Sequence, residues 1–67
     1  MNIILYSTDC PVCVMLKEKL KQHNIDFTEN TDTEIMLQKG ITSVPVLEID
    51  GELYNVRKAL EWVNNAN

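Results

Sequence analysis

Cys10 and Cys13, in the run Cys10-Pro11-Val12-Cys13, are the residues of this sequence best suited to nucleophilic or redox chemistry. Two thiols at that spacing could make and break a disulfide, supply half of a zinc site, or lie buried as small apolar residues. Spacing alone does not choose among these, so position in the chain must. An apolar run ends at Tyr6, Ser7-Thr8-Asp9 breaks it and supplies capping residues, and Pro11 follows, a residue favoured at the first position of a helix. Cys10 therefore opens a helix, where unpaired backbone N–H groups and the positive end of the dipole both favour thiolate over thiol. Cys13 lies one turn further in, within reach of a mixed disulfide formed on Cys10. The expected roles are Cys10 as nucleophile and Cys13 as resolving thiol. Among neighbouring charges, Asp9 disfavours a thiolate and Lys17, one turn past Cys13, opposes it. Zinc would need about four ligands, and only His23, read as a solvated surface residue, is left to join the cysteines.

The elements that must position this pair are legible along the chain. Residues 2–6 form a short apolar run suited to a buried central strand. From Pro11, Val12, Met15, Leu16 and Leu20 recur at helical spacing, and the helix should stop near His23-Asn24, since Asn tolerates a left-handed cap. Residues 25–29 alternate apolar and polar as a half-buried strand does. Residues 32–39 carry acidic residues first, Lys39 last and Gly40 just beyond, the start and stop signals of a second helix. Residues 44–49 read as a third strand, Asp50-Gly51 as a hairpin turn, and residues 52–54 as a fourth strand. Asn55 can cap a last helix with apolar positions Val56, Ala59, Leu60 and Val63. Tyr6, Met15 and Trp62 read as core or part-buried, and Tyr54 as core or as the lip of the site. The order is β-α-β-α-β-β-α, an α/β fold with a four-stranded mixed sheet flanked by helices in one domain, residues 1–67. Pro45 stands out, because a proline removes a ladder donor from a strand that looks central. A cis Val44–Pro45 bond in a tight turn would resolve the conflict.

Composition narrows the function classes. With 67 residues, 45% of them hydrophobic and 24% charged, the chain is an ordinary small globular protein. A formal charge of −4 argues against nucleic acid, which calls for a basic patch, and against an anionic membrane surface. The apolar start lacks the basic flank and length of a secretory signal, and no run approaches the roughly 20 apolar residues of a membrane span. The expectation is a reducing, cytoplasmic compartment, where two cysteines this close are more often catalytic or metal-binding than a structural staple.

Together these residues resemble the glutaredoxin family of the thioredoxin superfamily. The resemblance runs through Ile4-Leu5-Tyr6-Ser7, Cys10-Pro11-Val12-Cys13, Thr42-Ser43-Val44-Pro45-Val46 and Ile49-Asp50-Gly51. It implies a thioredoxin-like fold, dithiol exchange, a cis peptide before Pro45, and a substrate site drawn from Thr8, Asp9, Pro11, Val12, Ser43, Val44, Pro45, Tyr54, Asn55 and Val56. The chain departs from the glutathione-binding pattern in three places. Ser7 stands where such proteins usually carry Lys or Arg, Val12 where they usually carry an aromatic residue, and Tyr54-Asn55-Val56-Arg57-Lys58 where they carry a Gly-Gly pair and an acidic residue. The chain is similar in this to short glutaredoxin-like redoxins that take electrons from thioredoxin reductase and pass them to ribonucleotide reductase. The resemblance implies no bound cofactor, no metal, a monomer, and protein or low-molecular-weight disulfides as substrates, with thioredoxin reductase or glutathione as reductant. The alternatives are a conventional glutathione-dependent glutaredoxin and, from another class, a non-catalytic binding module or metal half-site.

Overall fold

The computed structural model describes residues 2–8 and 10–66. Its elements run β1 (Ile3–Tyr6), α1 (Pro11–Gln22), β2 (Thr28–Asn30), α2 (Thr33–Gln38), β3 (Val46–Ile49), β4 (Glu52–Tyr54) and α3 (Val56–Asn65). The strands form a four-stranded sheet in the order β2-β1-β3-β4. β1 pairs in parallel with β2 and antiparallel with β3, which pairs antiparallel with β4. The sheet is therefore mixed, as the element order predicts.

β1 can be apolar without alternation because both its faces are covered. Ile3 and Leu5 join Leu47 and Ile49 of β3 against Leu16 and Leu20 of α1 and Ala59 and Val63 of α3. On the other face Tyr6 and Val46 meet Met36 of α2 and Ile41. Two layers of helix thus enclose the β1–β3 pair, and β1 delivers the chain from this core directly into the dithiol segment.

Local signals explain where the elements stop. At the end of α1 the Asn24 N–H donates to the Lys21 carbonyl at 3.0 Å and the Ile25 N–H to the Leu20 carbonyl at 3.0 Å. This is the Schellman pattern, with Asn24 left-handed at φ 56°. α2 closes the same way: Gly40 N–H donates to Leu37, Ile41 N–H to Met36, and Gly40 has φ 76°. Asp50 and Gly51 take φ 49° and 91°, the pair of left-handed residues a tight hairpin needs. Asn55 Oδ1 accepts the Lys58 N–H at 2.9 Å and starts α3.

Two expectations require correction. Residues 25–27 are not strand. Ile25 is the apolar residue that closes the Schellman motif of α1, and the parallel register first finds a partner at Thr28, opposite Ile4. Ile25 and Phe27 still pack against the core, so their alternation reflects burial without pairing. Met15 is not core: it is 39% exposed and Val12 is 42% exposed, because the buried stripe of α1 runs through Cys13, Leu16 and Leu20. Counting Cys13 as a small apolar residue shifts the buried face by one position. Tyr6 is buried and Trp62 half-buried, while Tyr54 packs on the α1–α3 core.

Candidate functional site

Cys10 itself, and not a residue of the expected Ser7-Thr8-Asp9 turn before it, is the N-cap of α1, in extended conformation at φ −75° and ψ 153°, with Pro11 opening the helix behind it. Its Sγ accepts the Cys13 N–H at 3.1 Å, taking the place of the hydroxyl or carboxylate usual at an N-cap. Cys13 lies on the buried stripe, 2% exposed, and its Sγ accepts the Thr8 N–H at 3.5 Å. The two sulfurs are joined in a disulfide that spans 5.1 Å between Cα atoms. Reduction leaves each sulfur beside a backbone donor, and hydrogen bonds to the charged form favour a thiolate. The sulfurs are unequal in access, with Cys10 half-buried at the helix tip and Cys13 enclosed.

Thr42-Ser43-Val44 leads into β3 through buried Pro45, and the Val44–Pro45 bond is cis. A cleft opens on either side of this segment. One, of about 250 Å³, brings Thr8 from the dithiol segment against Met36 and Leu37 of α2 and against Ile41, Ser43 and Val44. The other, of similar volume, is bounded by Thr42, Ser43, Val46, Leu53, Asn55 and Lys58. The first is lined by threonines, a serine and apolar side chains, and Leu37 at its rim is 71% exposed. The second carries one cation, Lys58.

Two ion pairs flank β1, the strand that leads into the dithiol segment. Ser7, 1% exposed, donates its hydroxyl to Glu29 Oε2 at 2.9 Å. Lys17 Nζ reaches the other oxygen of Glu29, also at 2.9 Å. The hydrogen bond from Lys17, then that from Ser7, holds the Glu29 carboxyl below its ordinary value. Lys17 is therefore engaged on β2, and the expectation that its charge serves the cysteines is corrected to this ion pair. On the opposite face buried Glu48 accepts from Tyr6 at 3.2 Å and from Lys39 at 3.1 Å. That contact with Glu48 raises the Lys39 ammonium above its ordinary value.

A family model for glutaredoxin matches residues 3–54, which takes in the dithiol, the Val44-Pro45 segment and the hairpin. The chain belongs to the glutaredoxin family. It is also 37% identical over 59 residues to a protein named thioredoxin from Methanothermobacter thermautotrophicus, covering 79% of this chain and 77% of that one. The crystal structure of the thioredoxin-like protein BC3987, mutant T8A, superposes with a TM-score of 0.77 at 30% identity, covering 98% of this chain and 97% of that one. The fold is α/β and thioredoxin-like, and this glutaredoxin-family chain is a thiol–disulfide oxidoreductase.

The glutaredoxin fold gathers some of the expected site residues and leaves others apart. Thr8, Ser43 and Val44 share the first cleft, Ser43 and Asn55 the second, and Pro11 and Val12 stand exposed on the first turn of α1. Tyr54 belongs to the core, opposite Leu47, and half-buried Val56 lines neither cleft. Asp9, expected both as a substrate contact and as a charge beside Cys10, lies outside the described residues. His23 is the half-buried C-cap of α1, not a fully solvated residue. Among the described residues no three His, Cys, Asp or Glu side chains come together as a metal site. No described helix is long and apolar enough to cross a membrane. Reading the sequence misses Met36, Leu37 and Ile41 as cleft residues. Their apolar spacing on a short helix says only that one face is covered, and what covers it depends on how α2 lies on the sheet.

Proposed function

We propose that this chain is a dithiol carrier that reduces disulfides in proteins, with ribonucleotide reductase among targets of that kind, and that thioredoxin reductase recycles it. The observation that carries the choice of reductant is Ser7. The position where glutathione-binding relatives usually place a cation holds a buried hydroxyl bonded inward to Glu29, a group that cannot pair with a glutathione carboxylate. The similarity to proteins named thioredoxin and thioredoxin-like supports the same reading.

The Cys10 thiolate attacks one sulfur of the substrate disulfide, the substrate S–S bond breaks, and the displaced sulfur leaves as thiolate and takes up a proton. Cys13, deprotonated, attacks the Cys10 sulfur of the mixed disulfide and expels the second substrate thiol. The substrate gains two electrons and two protons, and Cys10 and Cys13 end as the disulfide. The accessibility of Cys10 and the enclosure of Cys13 support that order of events. Thr8, Pro11, Val12, Ser43, Val44 and Asn55 border the path of an extended substrate, whose backbone would pair with the Val44 peptide group in the manner of an added strand. A reducing cytoplasm suits a pair that must be recycled.

Cys10→Ser should abolish disulfide reduction, whereas Cys13→Ser should accumulate a mixed disulfide that mass spectrometry locates on Cys10. A mixed disulfide on Cys13 instead would reverse the assignment. Turnover should be supported by NADPH with thioredoxin reductase and not by glutathione with glutathione reductase. Equal or faster turnover with glutathione would favour the second reading, a conventional glutathione-dependent glutaredoxin. Its support is Lys58, which brings a cation to the cleft shared by Ser43 and Asn55.

A further inference from the structure

A closed ring of contacts surrounds Cys13. The Thr8 N–H donates to Cys13 Sγ at 3.5 Å. The peptide group carrying that N–H begins at Ser7, which is pinned to β2 twice: its own N–H donates to the Asn30 carbonyl at 3.2 Å, and its hydroxyl to Glu29 Oε2 at 2.9 Å. Glu29 is gripped by Lys17 at 2.9 Å, and Lys17 lies one turn along the same helix as Cys13. Thus Cys13, α1, Lys17, Glu29, Ser7 and the Thr8 amide close on one another. Nothing in helix capping requires this, since Pro11 and the Cys10 cap already start α1.

We propose that Ser7, held by Glu29 and Lys17, is a positioning residue that fixes the Thr8 amide on the sulfur of Cys13 and so stabilises the reduced form of the dithiol. A disulfide sulfur is a poor acceptor and a thiolate a strong one, so a fixed N–H contributes most once reduced Cys13 has given up its proton. Lowering of the Glu29 carboxyl by Lys17 keeps the acceptor ionised, and Lys21 adds to this at longer range. The step affected is reduction of the Cys10–Cys13 bond, which consumes two electrons and two protons, less one proton for each thiolate that persists. The inference rests only on the redox activity of the pair, whichever cysteine attacks and whatever reductant recycles it.

The test equilibrates the full chain with dithiothreitol and its cyclic disulfide at a pH alkaline enough to ionise Cys13, and counts reduced protein by thiol alkylation. Ser7→Ala should lower the equilibrium constant for reduction roughly fivefold, the size of about one hydrogen bond, or near 20 mV. Glu29→Gln, which keeps an acceptor oxygen for Ser7 but loses the ion pair with Lys17, should lower it by less than Ser7→Ala does. Urea unfolding provides the independent reading, because a merely structural role would weaken oxidised and reduced forms alike. The reduced form of Ser7→Ala should lose more stability than the oxidised form. In the unmutated reduced protein, the Thr8 amide proton should shift through the titration of the Cys13 thiol in NMR spectra, a measurement that survives failure of the variant to fold. An unchanged equilibrium constant in folded Ser7→Ala, a larger change in Glu29→Gln than in Ser7→Ala, or a Thr8 amide indifferent to that titration would each overturn the proposal.

Discussion

At the scale of single residues, Ser7 and Glu29 act together. Ser7 is small enough to be buried where a lysine or arginine would have to reach solvent, and its hydroxyl finds Glu29. Glu29 in turn is ionised and doubly bonded, which has a consequence in acid. Its folded-state value is depressed, so the stability it contributes is present above its ordinary value of 4.5 and is lost as pH falls through the lower, folded value. Glu29 is about one-third exposed, so screening keeps the effect below about 1 kcal/mol. Glu29→Gln should therefore flatten the fall in melting temperature between neutral and strongly acidic pH and leave the alkaline side unchanged. Parallel melting curves for variant and parent across the acid range would contradict the role given to this pair.

At the scale of elements, the caps decide where each side chain lands. Asp32 Oδ1 accepts the Glu34 N–H at 3.0 Å to start α2, and Gly40 ends it in a left-handed turn that sends Ile41 back under Met36. A Cβ on Gly40 would meet no neighbour, so the cost of Gly40→Ala comes from the backbone conformation alone, about 1 kcal/mol. The expected result is a lower urea midpoint with an unchanged slope, read by far-UV circular dichroism. Residues 25–27 show how an element is misread. Apolar residues after a helix cap and apolar residues in a strand present the same alternation, and only the register of β1 against β2 separates them.

At the scale of the molecule, a 67-residue chain has little stability to spare, and the β1–β3 pair concentrates it. Leu47 is fully buried and packs in the core built by α1 and α3 beneath the sheet. Leu47→Ala should cost about 2–5 kcal/mol, a large fraction of the total for a domain of this size. Its near-ultraviolet circular dichroism, dominated by Trp62 and the tyrosines, should collapse at room temperature or melt without a cooperative transition. Retention of the parental melting temperature would show that the core is less concentrated than the packing indicates.

The sequence by itself determined the order of elements, the cap at Asn55, the turns at Asn24, Gly40 and Asp50-Gly51, and the placement of the dithiol at a helix start. Each of these is a local matter, settled by backbone preferences and hydrogen bonds within a few residues. The tertiary structure alone decided that Cys13, and neither Val12 nor Met15, faces the core, that Lys17 serves Glu29, and that Ser7 turns inward. It also decided that α2 walls a cleft beside Thr8. These depend on which surfaces meet when helices dock on the sheet, where contacts between residues far apart in the chain fix the rotation of each element.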